Sequence, residues 1–168
     1  MSKAEIEAQI PSLRRYGRAL TGNRATADDL VQDTLERALS RLALWRPGSS
    51  MRAWLFTIMR NLWINEVQRR ASRPALHSLD DVAEPVQPPS QLDRLALRDL
   101  GAALAALPED QREIVLLVGL EGMSYAEAAE VTGIPIGTVM SRLKRGRDRL
   151  ASLLQGIEPS GPKLRRVK

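Results

Sequence analysis

The chain's 168 residues suffice for one ordinary domain or two small ones, and 43% of them are hydrophobic but only 4% aromatic. Leu, Ala, Ile and Val must therefore fill the core, a composition that suits helices better than sheets. The formal net charge of +5 permits a polyanionic partner without requiring one, and the lack of cysteine excludes disulfides, thiol redox sensing and cysteine–zinc sites. With no apolar run of membrane-spanning length and no apolar leader at the N-terminus, the expectation is a soluble, cytoplasmic protein with no membrane insertion.

In chain order, "IPSLRRYGRAL" sets Ile10, Leu13, Gly17 and Leu20 on one side of a short helix that ends at Thr21-Gly22-Asn23. "ADDLVQDTLERALSRL" follows, with Val31, Leu35, Ala38 and Leu42 on one stripe. Opposite them, Asp29, Gln32, Asp33 and Glu36 fall at i, i+3, i+4 and i+7 and make an acidic polar face. That face suits a basic helical partner. These residues alone support equally a plain role in N-terminal capping and solubility. Asp28, Asp29 and Asp33 also resemble a magnesium cluster, but a magnesium–diphosphate site draws on several such clusters around a deep cavity, and only one is present.

After "WRPGSS", the stretch "MRAWLFTIMRNLWINEVQRR" repeats the helical stripe through Met51, Leu55, Ile58 and Leu62. The three tryptophans, Trp45, Trp54 and Trp63, all lie in or just before it. Thr57, Arg60, Asn61, Asn65 and Gln68 share a polar face, followed by Arg69, Arg70 and Arg73. Amides beside basic and aromatic groups can hold unstacked bases, although tryptophan at such spacing is more often core, which is the expectation for Trp54. Residues 71–91, "ASRPALHSLDDVAEPVQPPSQ", carry four prolines and no sustained period, which predicts a flexible linker.

The second block opens with "LDRLALRDLGAALAAL" and continues as "PEDQREIVLLVGL", with Pro108 suited to a first helical turn. Ser124 and Glu127 stand at capping-box spacing, so a helix starts at Ser124 and closes at Gly133. A last helix runs from about Pro135 to Leu154, and the tail from Gly156 on is predicted to be basic and disordered. In that helix Val139, Leu143 and Leu150 point inward, leaving Ser141, Arg142, Lys144, Arg145, Arg147 and Arg149 outside against a single acid, Asp148. Small Ala129 and the Gly133 turn sit at the offsets of a helix-turn-helix, which favours DNA over a merely solvated basic face. The predicted fold is all-α: a helical domain over 1–70, a linker over 71–91, a second helical domain over 92–155, and a tail over 156–168.

Together these segments resemble the extracytoplasmic-function (ECF) group of the sigma-70 family, over roughly Ile10 to Leu154. "ADDLVQDTLERAL" resembles region 2.2, "MRAWLFTIMRNLWINEVQRR" regions 2.3 and 2.4, and "LPEDQREIVLLVGLEGMSYAEAAEVTGIPIGTVMSRLKRGRDRL" region 4. The resemblance implies a transcription initiation factor without catalysis, metal or cofactor. Its partners would be the β′ clamp helices and β flap of core RNA polymerase, promoter DNA and an anti-sigma factor. It puts Asp29, Gln32, Asp33 and Glu36 on polymerase. Arg60, Asn61, Asn65 and Arg69 fall on the −10 element, and Thr138, Ser141, Arg142, Lys144 and Arg145 on the −35 element. Met140 departs from a position often basic in relatives, which leaves its share of phosphate binding open. Asp80, Asp81 and Glu84 fit a linker threaded through a nucleic-acid channel. Two other readings use the same residues: a repressor or activator binding duplex DNA without polymerase, and a magnesium-dependent helical enzyme.

Overall fold

Helix boundaries fall where the capping chemistry puts them. In this computed structural model residues 3–72 and 91–156 are described, and all the regular structure among them is helical. The expectations for Arg73, the proline-rich joint with Asp80, Asp81 and Glu84, and the basic tail lie outside the described residues. A short α1 (Lys3–Glu7) leads into α2 (Ile10–Thr21), which ends at Gly22 in the left-handed conformation, φ 67°. Helix α3 (Arg24–Ser40) is capped by Asn23, whose side chain accepts from the Thr26 amide at 2.9 Å. After a single 3₁₀ turn (Leu42–Leu44) comes α4 (Met51–Ala71), capped in the same way by Ser50 on the Ala53 amide. Leu42 therefore lies beyond α3, in the 3₁₀ turn, but still packs against the core.

The second block holds α5 (Gln91–Ala105), α6 (Glu109–Ile114), α7 (Tyr125–Thr132) and α8 (Ile136–Leu154). The capping box is present in full at the start of α7. Ser124 accepts from the Glu127 amide, and the Glu127 carboxylate accepts from the Ser124 amide at 3.0 Å. That backbone hydrogen bond is the main reason the Glu127 carboxyl titrates below its ordinary value. Because the folded value is lowered, the cap's contribution is present above the unfolded pKa and is lost as pH falls through the folded one. Gly133 closes α7 at φ 70°, and Pro135 caps α8, so only Gly133-Ile134-Pro135 separates the two helices.

Pro108 caps α6 and its carbonyl accepts from the amides of Gln111 and Arg112 in the first turn. The next segment differs from the sequence reading. The run Val115–Leu120 does not continue α6 as a regular helix but widens into a π turn. There the Glu121 amide donates to the Leu116 carbonyl, five residues back, at 3.0 Å. Glu121 is buried behind this turn while Leu120 is left exposed.

In the first block α2 packs on α3 and α3 on α4, around Leu13, Tyr16, Val31, Ala38, Leu55, Phe56 and Met59. Burial pushes the Tyr16 phenol far above its ordinary pKa, so it stays neutral. In the second block α6 and α7 pack on α8 around Ile114, Leu116, Leu117, Val131, Val139 and Leu143. The blocks are not held apart. Helix α4 lies against α7, α2 touches the widened turn, and one apolar cluster runs through both.

The α6–α8 crossing is set by Gly146. A β-carbon there would stand 2.7 Å from Val115 Cγ2 and 3.3 Å from the Gln111 carbonyl oxygen. Val115 is β-branched and the carbonyl belongs to the backbone, so neither yields easily. Gly146→Leu should therefore cost about 1–3 kcal/mol of unfolding free energy by overpacking, read as a lower urea midpoint at unchanged slope. Gly17→Ala is the control. Its new methyl meets the flexible Met59 Cε at 2.8 Å, and a near-neutral result is expected.

Candidate polymerase and nucleic-acid interface

On the outer face of α3, Asp29, Gln32, Asp33 and Glu36 are all exposed. Gln32 Nε2 donates to Glu36 Oε1 at 3.0 Å, which joins the face across one helical turn. Asp28 sits beside Arg24 at 4.0 Å instead of pointing into a cavity. Between α3 and α4 lies an open groove of about 530 Å³, where Asp29, Asp33 and Arg37 face Trp63, Asn65 and Arg69. Two sets that the sequence reading keeps apart, the polymerase set and the −10 set, thus meet along one groove.

Along α4, Asn61 and Asn65 are exposed and lie one turn apart. Arg69 and Arg70 both pair with Glu66, Arg70 at 2.8 Å. The Arg70 hydrogen bond is the leading reason the Glu66 carboxyl falls below its ordinary value. Trp54 and Trp63 are half-buried against the core, in keeping with the bland expectation for Trp54. Arg60 behaves differently from the asparagines. It forks onto Glu113 of α6, a residue of the other block.

On α8, Val139 and Leu143 are buried, and Ser141, Lys144, Arg145, Arg147 and Arg149 are exposed, as the pattern requires. Arg142 is a correction: it is half-buried, with Nε 3.3 Å from Asp110. The helix turns this residue back toward the start of α6 instead of outward. Thr138 is half-buried too, and its carbonyl accepts from the Ser141 hydroxyl at 3.1 Å. Arg145 folds back on Ser141, while Lys144 reaches Asp148 at 2.9 Å. Met140 is 51% exposed, in a shallow hollow with Tyr125, Gly137 and Lys144.

The partners that sequence reasoning missed are all acids. Glu113, Asp110 and Glu121 each hold an arginine, yet "PEDQRE" reads only as an acidic helix start and Glu121 lies beyond it, after an apolar run. For Glu113 and Glu121 the partners lie in the other block, which no local pattern signals.

Comparison with known proteins decides the family. The description "Sigma2 domain of PhyR" matches residues 6–60 and "Sigma-70, region 4" matches residues 97–150. An ECF RNA polymerase sigma factor of Rhodopseudomonas palustris, EcfG, is 43% identical over 162 residues, covering 94% of this chain and 88% of its own. The chain belongs to the ECF RNA polymerase sigma factors. SigL of Mycobacterium tuberculosis, another ECF sigma factor, is 38% identical over 149 residues, covering 85% of this chain and 82% of its own.

Among solved structures, the sigma factor RpoE in complex with the anti-sigma factor NepR, from Bartonella quintana, has a TM-score of 0.76 at 37% identity. The match covers 91% of this chain and 96% of that one. CnrH, solved with the cytosolic domain of CnrY, has a TM-score of 0.71 at 28% identity and covers 91% and 86%. This ECF sigma factor therefore carries region 2 followed by region 4. The first match stops at Arg60, so Asn61, Asn65 and Arg69 continue the same helix beyond it. Among the described residues no helix is long and apolar enough to cross a membrane.

Proposed function

We propose that this ECF sigma factor brings core RNA polymerase to promoters, docking through Asp29, Gln32, Asp33 and Glu36 and reading DNA with region 2 and region 4. The observation that carries this reading is the separation of charge. An exposed acidic face lies on α3, and an exposed basic face, Lys144, Arg145, Arg147 and Arg149, lies on α8. The first suits a basic protein surface and the second suits phosphates. Thr138, Ser141, Arg142, Lys144 and Arg145 read the −35 element from the major groove, and Arg60, Asn61, Asn65 and Arg69 take the melted −10 strand. The factor catalyses nothing and works in the cytoplasm with polymerase. RpoE was solved in complex with the anti-sigma factor NepR, which supports control of this chain by an anti-sigma factor.

The test separates melting from reading. Asn61 and Asn65 are exposed and each amide can both donate to and accept from an unpaired base edge. Asn61→Ala and Asn65→Ala should leave the fold and polymerase binding intact and lower run-off transcription from duplex promoters about 5- to 100-fold, on the scale of one lost base contact. On templates already unpaired across the −10 element, rescue would assign them to melting. Little rescue, with weakened sequence preference in the bubble, is the expected result. Full activity of both variants on duplex promoters would remove them from the −10 set.

A further inference from the structure

We infer that the packed arrangement of the two blocks is an autoinhibited state, latched by Glu121, in which Glu113 of α6 occupies Arg60, an arginine that promoter DNA needs. This rests on the proposed reading for Arg60, but the latch itself stands on separate contacts.

The Glu121 side chain has 0% exposure, and its carboxylate is gripped by two guanidinium groups from the other block. Arg15 of α2 donates in a fork, Nε to Oε1 at 2.8 Å and Nη2 to Oε2 at 2.7 Å. Arg52 of α4 adds a contact to Oε2 at 3.3 Å and also donates to the Glu121 carbonyl. A planar fork on a carboxylate is the strongest ordinary ion-pair geometry, and here it is removed from water. A buried carboxylate deprived of a partner is heavily penalised, so with both arginines present the closed form is favoured and with either absent it is not. The widened turn Val115–Leu120 is what delivers Glu121 to this position.

The consequence for DNA lies next to the latch. Glu113 forks onto Arg60 across the two blocks and leaves its side chain 23% exposed, whereas the neighbouring Asp110–Arg142 pair lies inside the second block and does not depend on the latch. A carboxylate fork takes the same guanidinium edges that a phosphate or a base edge would take. Arg60, Trp63, Asp110, Glu113 and Arg142 together line a cleft of about 430 Å³ between the blocks, too small for a duplex. Helix α6 is thus an internal competitor for the promoter, and a partner that stabilises the open form must supply the free energy of breaking the latch.

The experiment uses the full chain. Because it contains no cysteine, Arg41→Cys and Glu130→Cys, both exposed and one in each block, accept a donor–acceptor dye pair. Glu121→Gln keeps the shape of the side chain and removes its charge; Arg15→Met removes the fork from a half-exposed residue that no core packing depends on. Each variant should raise the open-to-closed ratio at least about tenfold, and the double variant should do no more than the stronger single one, since both break one contact. Glu121→Gln should also bind a fluorescent single-stranded −10 oligonucleotide more tightly without polymerase. Unchanged inter-dye distances in both variants would overturn the latch. Opening without any gain in oligonucleotide affinity, while duplex −35 binding is normal, would overturn the competition. If neither wild type nor the opened variants bind promoter DNA at all, the proposed reading of the DNA residues fails instead.

Discussion

Asp29→Arg and Asp33→Arg together should abolish assembly with core polymerase, weakening association by at least about 100-fold, the scale of several kcal/mol of like-charge contact. Both carboxylates are exposed on the outer face of α3, one turn apart. Each reversal replaces an attraction to a basic partner by a repulsion, and the two act on the same patch. The fold should not notice, because neither side chain is buried and surface changes away from structural features usually stay within about 0.5 kcal/mol. Titrating labelled variant against core enzyme measures the effect, and binding of the full chain to a −35 duplex serves as the control. Wild-type assembly by the double variant would leave this face as solvated surface.

Phe56→Ala should be the most damaging single core change, costing about 3–5 kcal/mol of stability. The ring is fully buried, 5.1 Å from the Tyr16 ring at a tilt of 46°, and the Arg52 guanidinium carbon stands 5.7 Å above it. Truncation removes the ring–ring contact, opens a cavity beneath Tyr16 and takes away the cation–π support of Arg52. Against a total of about 5–15 kcal/mol for a protein of this kind, that loss leaves little reserve. Urea unfolding measures it, and a change below about 1 kcal/mol would contradict the packing described. Since Arg52 also grips Glu121, the variant should populate the open form even where it stays folded.

What could be read from the sequence was whatever is local. The ends of α2 and α7 follow from Gly22 and Gly133, the start of α7 from Ser124 and Glu127, and the inward faces of α3 and α8 from apolar spacing. The exposure of Asp29, Asp33, Asn61 and Asn65 followed from the same periodicity. The π turn was not legible, because a five-back hydrogen bond leaves no mark on a hydrophobic pattern. Arg60 and Arg142 look alike in sequence, exposed bases on polar faces, yet both are turned to acids of α6. For Arg60 that acid lies 53 residues away, beyond a proline-rich segment that marks where a joint is and not how the blocks meet.

The Arg15–Glu121 link joins residues 106 positions apart, whereas nearly everything inside each block is a contact between helices adjacent or nearly adjacent in the chain. Helical blocks with such short-range topology form on the microsecond to millisecond scale, while bringing distant segments together comes later. On the ribosome the gap is far longer. At about 5–20 residues per second, about 2–10 seconds pass between the emergence of α4 and that of Glu113 and Glu121. Throughout that interval Arg15, Arg52 and Arg60 have no Glu121 or Glu113 to meet, and the acidic face of α3 is already folded and displayed. A newborn chain therefore passes first through a form whose first block is complete and unlatched, and only as α6 and Glu121 follow does it acquire the means to restrain itself.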